Sequence, residues 1–181
     1  MKRIYKVALC LLCLSLGNIA YGLECPKDSF FRPIDVFLDI NYIGSITLYC
    51  KSYRDSCKSL RNDFDDIVMF TIQGKNDSMF YVTAFSGLTD SVIGNGWIYK
   101  ASHLGIFSSA YNDNMPLQLF ESPSENSKVV LTEPKYNPDV YEIIDANRQH
   151  WLKVRTHVGN RTFEGWMPPS KQCANPYTTC S

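Results

Sequence analysis

Two segments of the chain follow the same pattern of apolar residues, one about 71 residues after the other. Ile46 and Leu48 match Leu117 and Leu119 at this offset. The matches continue, at offsets of 69 to 72, in the pairs Tyr49 with Phe120, Val68 with Val140, Ile72 with Ile144, Phe80 with Leu152, Val82 with Val154 and Trp97 with Trp166. The offset changes in polar stretches, where loops tolerate differences in length. This repetition indicates two copies of one structural unit.

Each copy contains short runs of alternating, β-branched or aromatic residues and no sustained helical period. Such runs, when bounded by turn residues, are typical of strands. The runs are 46–49, 68–72, 79–84, 117–120, 140–144 and 151–155. Residues 74–78 and 145–149 are rich in turn-forming side chains, and we expect them to connect hairpins. The sequence therefore predicts an all-β protein built as small barrels or sandwiches.

Three motifs follow one another in the second copy: Leu-Gln-Leu-Phe from residue 117, Trp-Leu-Lys-Val from residue 151 and Gly-Trp-Met from residue 165. In this order they resemble the bacterial SH3-like (Src-homology-3-like) domains. The first copy departs from the family pattern, because Met79 replaces the strand tryptophan and Tyr81 replaces the lysine. The resemblance implies two tandem small SH3-like β-barrels of five strands each. It also implies binding of cell-wall or peptide ligands rather than catalysis.

The first 22 residues have the three-part pattern of a secretory signal peptide. A basic start precedes an apolar run and then small residues at the cleavage position, namely Lys2, Arg3 and Lys6, residues 7–16, and Ala20-Tyr21-Gly22. The apolar run is too short to span a bilayer comfortably, so we expect no membrane span after signal cleavage. A lipoprotein is the alternative, since Cys10 and Cys13 lie in this run, but leucine rather than a small residue precedes each.

Cleavage would leave two predicted domains. Residues 23–108 would form SH3-like domain 1 with an N-terminal extension, and residues 109–181 would form SH3-like domain 2 with a cysteine-containing tail. Loss of three basic residues lowers Lys+Arg from 18 to 15 against 18 acidic residues, a net charge of −3. This charge argues against a nucleic-acid partner. We expect an exported protein, either periplasmic or extracellular.

Five cysteines remain after cleavage: Cys25, Cys50, Cys57, Cys173 and Cys180. Export to an oxidising compartment favours disulfides. Two pairs share the same spacing, Cys50 with Cys57 and Cys173 with Cys180, although five thiols permit other connectivities. The repeat places Glu121 and Lys128 where the first copy has Cys50 and Cys57, so we expect an ion pair there. The spacings and the scattered histidines do not favour a metal site.

The sequence offers no convincing catalytic set, and we expect neither an enzyme nor a cofactor. His103 follows the first Gly-Trp segment, while His150 and His157 flank the Trp151 run. Cys25 is the one candidate thiol for a cysteine peptidase, and it lies outside both predicted barrels. The carboxylates Asp63, Asp65 and Asp66 could serve a glycosidase or bind calcium, but such clusters are usually solvated loops. An accessory hydrolase is the alternative.

Aromatic residues are the best candidates for ligand contact, since flat rings give a large contact area at low entropic cost. The candidate binding residues are Tyr53, Arg54, Tyr99, Tyr136, Trp97 and Trp166. Burial in the core is the alternative for the tryptophans. These features predict an exported, non-enzymatic binding protein for peptidoglycan or another cell-wall peptide or glycan. An envelope protein–protein adaptor, or an inhibitor of an exported enzyme, is the alternative.

Overall fold

The computed structural model describes residues 28–50, 55–100, 103–109 and 114–177. This part of the chain is built from strands and one 3₁₀ turn, Pro169–Lys171, which confirms the predicted all-β class. The strands are β1 (Asp28–Leu38), β2 (Ile46–Tyr49), β3 (Ser56–Leu60), β4 (Val68–Lys75), β5 (Met79–Ser86), β6 (Val92–Tyr99), β7 (Leu104–Ser108), β8 (Leu117–Phe120), β9 (Val129–Glu133), β10 (Tyr141–Ala146), β11 (Leu152–Val158), β12 (Arg161–Met167) and β13 (Gln172–Cys173). None of the described residues forms a helix with the length and apolarity that crossing a membrane would require.

The strands pair in the same order twice. The first path runs β3-β2-β6-β5-β4-β1-β7, and the second runs β9-β8-β12-β11-β10-β7-β13. Every pairing is antiparallel. Strands of the first path thus have counterparts of equivalent position in the second, as the sequence repeat predicts.

Strand β7 belongs to both paths. Its start pairs with β1, its centre pairs with β10, and its end pairs with β13. Gly105 lies between the two neighbours, opposite Phe37 on one side and Glu142 on the other. A Cβ atom on Gly105 would come within 2.8 Å of the Phe37 ring, so this close approach requires glycine. The last strand of the first half is therefore also the first strand of the second half.

The shared strand changes the predicted architecture in one respect. Among the described residues the strand path is open, with β3 and β9 at its two ends, and it does not close into two separate barrels. The buried side chains form one cluster that extends from Ile34 and Leu48 through Ile106 to Leu119 and Val154. The reason is that β7 pairs with a strand of each half, and its Leu104 and Ile106 side chains belong to the shared cluster. The boundary between residues 108 and 109 remains a prediction.

The two predicted hairpin turns have the same local chemistry. In the β4–β5 turn, the Asn76 Oδ1 atom accepts hydrogen bonds from the backbone N–H groups of Ser78 and Met79. In the β10–β11 turn, the Asn147 Oδ1 atom accepts from the N–H groups of Gln149 and Trp151. Asparagine side chains favour such turns because they replace backbone partners within a few residues. The two copies thus close this turn with the same asparagine hydrogen bonds, although the surrounding residues differ.

The disulfide between Cys50 and Cys57 is present and joins β2 to β3, as predicted. Cys173 is also disulfide-bonded, and the other cysteine of this bond lies outside the described residues. The predicted Cys173–Cys180 pairing, Cys25 and the signal segment 1–22 lie there too. The expected ion pair between Glu121 and Lys128 is wrong. The Glu121 N–H group instead donates to the Lys128 carbonyl at 2.8 Å, and the Ser127 hydroxyl accepts from the Ser122 N–H group and donates to the Ser122 carbonyl, so hydrogen bonds close this hairpin.

Candidate functional site

The candidate binding residues from the sequence do not meet at one place. Trp97 and Tyr99 lie on β6 in the first half, and Trp166 lies on β12 in the second. Tyr136 lies in the connection between β9 and β10, on the wall of a groove. Tyr53 and Arg54 lie outside the described residues. The structure therefore offers three separate surfaces for ligand contact.

The groove at Tyr136 has a volume of about 260 Å³. Its described lining residues come from β7, from the β9–β10 connection, from β13 and from the segment that follows β13; they are Phe107, Tyr136, Pro138, Cys173, Asn175, Pro176 and Tyr177. Pairing of Cys173 with Phe107 sets the path of the last segment beside β7. The sequence indicates a turn at Asn175-Pro176, because proline disfavours continuation of the strand. The groove thus forms where the shared strand and the end of the chain meet.

Tyr177 attaches the groove to the first half of the molecule. The Tyr177 hydroxyl accepts a hydrogen bond of 2.9 Å from the backbone N–H of Ile67. Its own N–H donates to the Asn175 Oδ1 atom at 2.9 Å. A Cβ atom on Gly87 would lie 2.8 Å from the Tyr177 hydroxyl, so the ring approaches the β5–β6 turn as closely as glycine permits. The tyrosine is held in place although it is 46% exposed.

The groove can bind by surface contact and hydrogen bonding. Its described lining residues comprise three aromatic rings, two proline rings, one amide and one disulfide-bonded cysteine. None of them is Asp, Glu, Lys, Arg or His. Aromatic and proline rings pack against the apolar faces of peptides or sugars, and an amide can donate and accept hydrogen bonds. This chemistry suits recognition of a neutral segment.

A second aromatic surface lies on the first half. Trp97 on β6 pairs with Tyr49 on β2 and Tyr81 on β5, so three rings form a row across the sheet. Tyr81 packs edge-on against Trp97 with ring centroids 5.3 Å apart, and Tyr49 meets Tyr99 at 5.6 Å. Trp97 is only 4% exposed, whereas Tyr99 is 46% exposed. Tyr99, which packs against the Tyr49 ring beside this row, is therefore the aromatic residue of this surface that is most exposed to a ligand.

The equivalent surface of the second half is largely packed and charged. Phe120 lies edge-on to Trp151 at 5.7 Å, and both rings are buried. Trp166 pairs with Phe120 and with Lys153, and it is half-buried. The neighbouring row across β10, β11 and β12 is ionic, because Arg155 bonds both Glu142 and Glu164. Bonding to Arg155 outweighs desolvation and lowers the pKa of the Glu164 carboxyl.

An ion cluster joins the two halves at the ends of β4 and β6. One carboxylate oxygen of Asp145, on β10, lies 2.9 Å from the ammonium groups of both Lys75 and Lys100. Burial alone would raise the pKa of Asp145, but the hydrogen bonds from Lys75 and Lys100 outweigh it and the pKa is lowered. Asp145 therefore remains ionised and connects β10 of the second half to the ends of β4 and β6 in the first.

Two of the histidines and two residues of the acidic run make local structural contacts. His103 stacks on Tyr42 with ring centroids 3.7 Å apart, and the His157 Nδ1 atom lies 3.2 Å from the Thr162 hydroxyl. Asp63 and Asp66 close a tight turn through reciprocal backbone hydrogen bonds. The described residues contain no group of three metal-ligating side chains.

The sequence identified Tyr136 but missed the other members of the groove. Phe107 and Tyr177 are far apart in the chain and become neighbours only because β13 pairs with β7. The turn-forming pair Asn175-Pro176 was the available signal in the sequence.

No protein-family model and no curated protein matches the sequence. A solved structure described as NlpC2 from Trichomonas vaginalis is similar, with a TM-score of 0.32 and 15% sequence identity. The similarity covers 80% of this chain and 49% of that chain, so the present chain spans about half the length of that protein. A likeness at this level carries no argument about function.

Proposed function

We propose that this protein is an exported, non-enzymatic binding protein that recognises a peptide or glycan of the cell wall. The observation that supports the proposal is the lining of the groove, in which Phe107, Tyr136 and Tyr177 present rings beside Pro138 and Pro176. Rings and prolines bind with little loss of side-chain entropy. The resemblance to SH3-like domains gives the ligand class.

Export is supported by the cysteines. Cys50 and Cys57 form a disulfide, and Cys173 is in a second one. Disulfides persist in oxidising compartments and are rare in the reducing cytosol. A secretory signal pattern at residues 1–22 is consistent with this location. A ligand of the envelope or of the cell surface fits such a protein.

Co-sedimentation of residues 23–181 with purified peptidoglycan sacculi tests the proposal. We expect saturable binding that weakens about three- to tenfold in Tyr136→Ala, since an aromatic contact contributes roughly 0.5–1.5 kcal/mol beyond its buried area. Tyr99→Ala is the matched control, because Tyr99 is 46% exposed and Tyr136 38%, but Tyr99 lies on the other aromatic surface. Circular dichroism of both variants shows whether they are folded.

Two results would contradict this account. Loss of binding in Tyr99→Ala with retention in Tyr136→Ala would refute the groove as the binding site and assign recognition to the β6 surface. Absence of sedimentation at low and moderate salt would exclude the cell wall as ligand. The alternative of an envelope adaptor or enzyme inhibitor would then stand in its place.

A further inference from the structure

Two apolar side chains of the first half, and one of the groove, are exposed at the edge where the first half meets the groove. Phe64 is 97% exposed, Leu88 is 65% exposed, and Tyr177 belongs to the groove itself. Phe64 lies in the turn between β3 and β4, and Leu88 lies in the turn between β5 and β6. We call these three residues the apolar edge.

Backbone and side-chain hydrogen bonds hold the members of the apolar edge together. The Leu88 N–H group donates to the Asp66 Oδ1 atom at 3.1 Å, which attaches the β5–β6 turn to the turn that carries Phe64. Gly87 N–H donates to the Ile67 carbonyl at 2.9 Å, and Ile67 N–H donates to the Tyr177 hydroxyl at 2.9 Å. Two turns and the last segment of the chain thus converge at Ile67, and the apolar edge is continuous with the groove.

The turn that carries Phe64 is also acidic. It contains Asp63, Asp65 and Asp66, whereas Arg61 is the nearest basic residue in the chain. Asp63 and Asp66 each accept a backbone N–H, from Phe64 and Leu88 respectively. None of the ion pairs between described residues includes these three carboxylates. The turn therefore combines an exposed ring with a net negative charge.

We propose that the apolar edge is a second contact surface, continuous with the groove, that binds a peptide segment carrying a free ammonium group on an aliphatic stem. The carboxylates of the turn complement the ammonium charge, and Phe64 and Leu88 contact the stem. A neutral glycan has no charge for these carboxylates to attract, whereas an ammonium group has, so the proposal deepens the proposed function by selecting peptide over glycan, and it rests on that function.

Acetylation of the ligand tests this inference separately from the proposed function. Sacculi treated with acetic anhydride keep their glycan and peptide chains but lose the charge of their free amino groups. We expect binding to native sacculi to exceed binding to acetylated sacculi about fivefold, and to weaken by a similar factor between about 0.05 and 0.5 M NaCl. Equal binding to both preparations would overturn the inference and leave the proposed function standing. Absence of binding to either would overturn both.

Variants locate the contact. The double variant Asp63→Asn with Asp65→Asn removes two charges and keeps the Asp63 side-chain acceptor for the Phe64 N–H group. It should lose the preference for native sacculi while still binding acetylated sacculi as well as the wild type does. The double variant Glu121→Gln with Glu125→Gln is the matched control, because it also removes two exposed carboxylates from one turn, the β8–β9 turn. A preference that survives in the Asp63/Asp65 variant, or that is lost equally in the control variant, would contradict the assignment.

Discussion

The disulfide between Cys50 and Cys57 should stabilise the hairpin at one end of the strand path by an amount that follows from loop length. Cys50 follows β2 directly, Cys57 lies on β3, and their Cα atoms are 5.7 Å apart. The backbone bond that closes this hairpin, from Cys50 N–H to the Asp55 carbonyl, is long at 3.4 Å. The β2–β3 register also shifts between Leu48 and Tyr49. We therefore expect the covalent bond, rather than the strand pairing, to restrict this loop.

The expected magnitude comes from the entropy of the unfolded chain. The two cysteines are separated by 7 positions, so the bond closes a loop of about eight residues. The chain-entropy relation then gives a stabilisation of about 2.5 kcal/mol at 25 °C. For a domain of this size that corresponds to a fall of about 5–10 °C in the unfolding temperature when the bond is removed.

The double variant Cys50→Ser with Cys57→Ser measures this contribution, with urea unfolding followed by tryptophan fluorescence. A reductant is unsuitable because it would also cleave the disulfide at Cys173. We expect the free energy of unfolding to fall by about 2.5 kcal/mol. A loss below about 1 kcal/mol would refute the chain-entropy argument. It would mean that the hydrogen bonds of the β2–β3 hairpin already restrict its loop without the disulfide. The β8–β9 hairpin, which has no disulfide at the equivalent positions Glu121 and Lys128, is closed by such bonds.

Two further perturbations test how the halves are joined. Asp145→Asn should cost about 1–3 kcal/mol, because Lys75 and Lys100 lose a shared anion in a half-buried site. The pKa of Asp145 is lowered from its ordinary value of 3.8, so its contribution is complete above that pH and is lost as the pH falls below it. Acid unfolding monitored by circular dichroism should accordingly be less pH-dependent in the variant, and identical pH profiles would contradict this role. Gly105→Ala should destabilise the protein by about 1–3 kcal/mol in urea unfolding, since the new Cβ would lie 2.8 Å from the Phe37 ring. An unchanged urea midpoint would show that β7 can move away from β1 to make room for the methyl group.

The groove shows how far sequence reasoning reached for the candidate site. Tyr136 was identified because aromatic residues in loops are common binding residues. Phe107 was not, because a Phe in a strand is more often a core residue, and nothing in the sequence indicates that this ring faces a groove. Trp97 was a candidate by residue type, but it is only 4% exposed because neighbouring strands cover it. Side-chain exposure in a sheet depends on which strands lie alongside, and those strands are distant in sequence.

The sequence by itself determined the all-β class, the duplication, the two hairpin turns at Asn76 and Asn147, and the disulfide between Cys50 and Cys57. These are local features, set by side-chain periodicity, by turn chemistry and by the short distance along the chain between two cysteines. Only the tertiary structure decided that β7 serves both halves, that the buried side chains form one core, and that β13 and the residues after it line the groove beside β7. Each of these depends on pairing between strands far apart in the chain, and local sequence preferences do not specify which distant strand edge will be the partner.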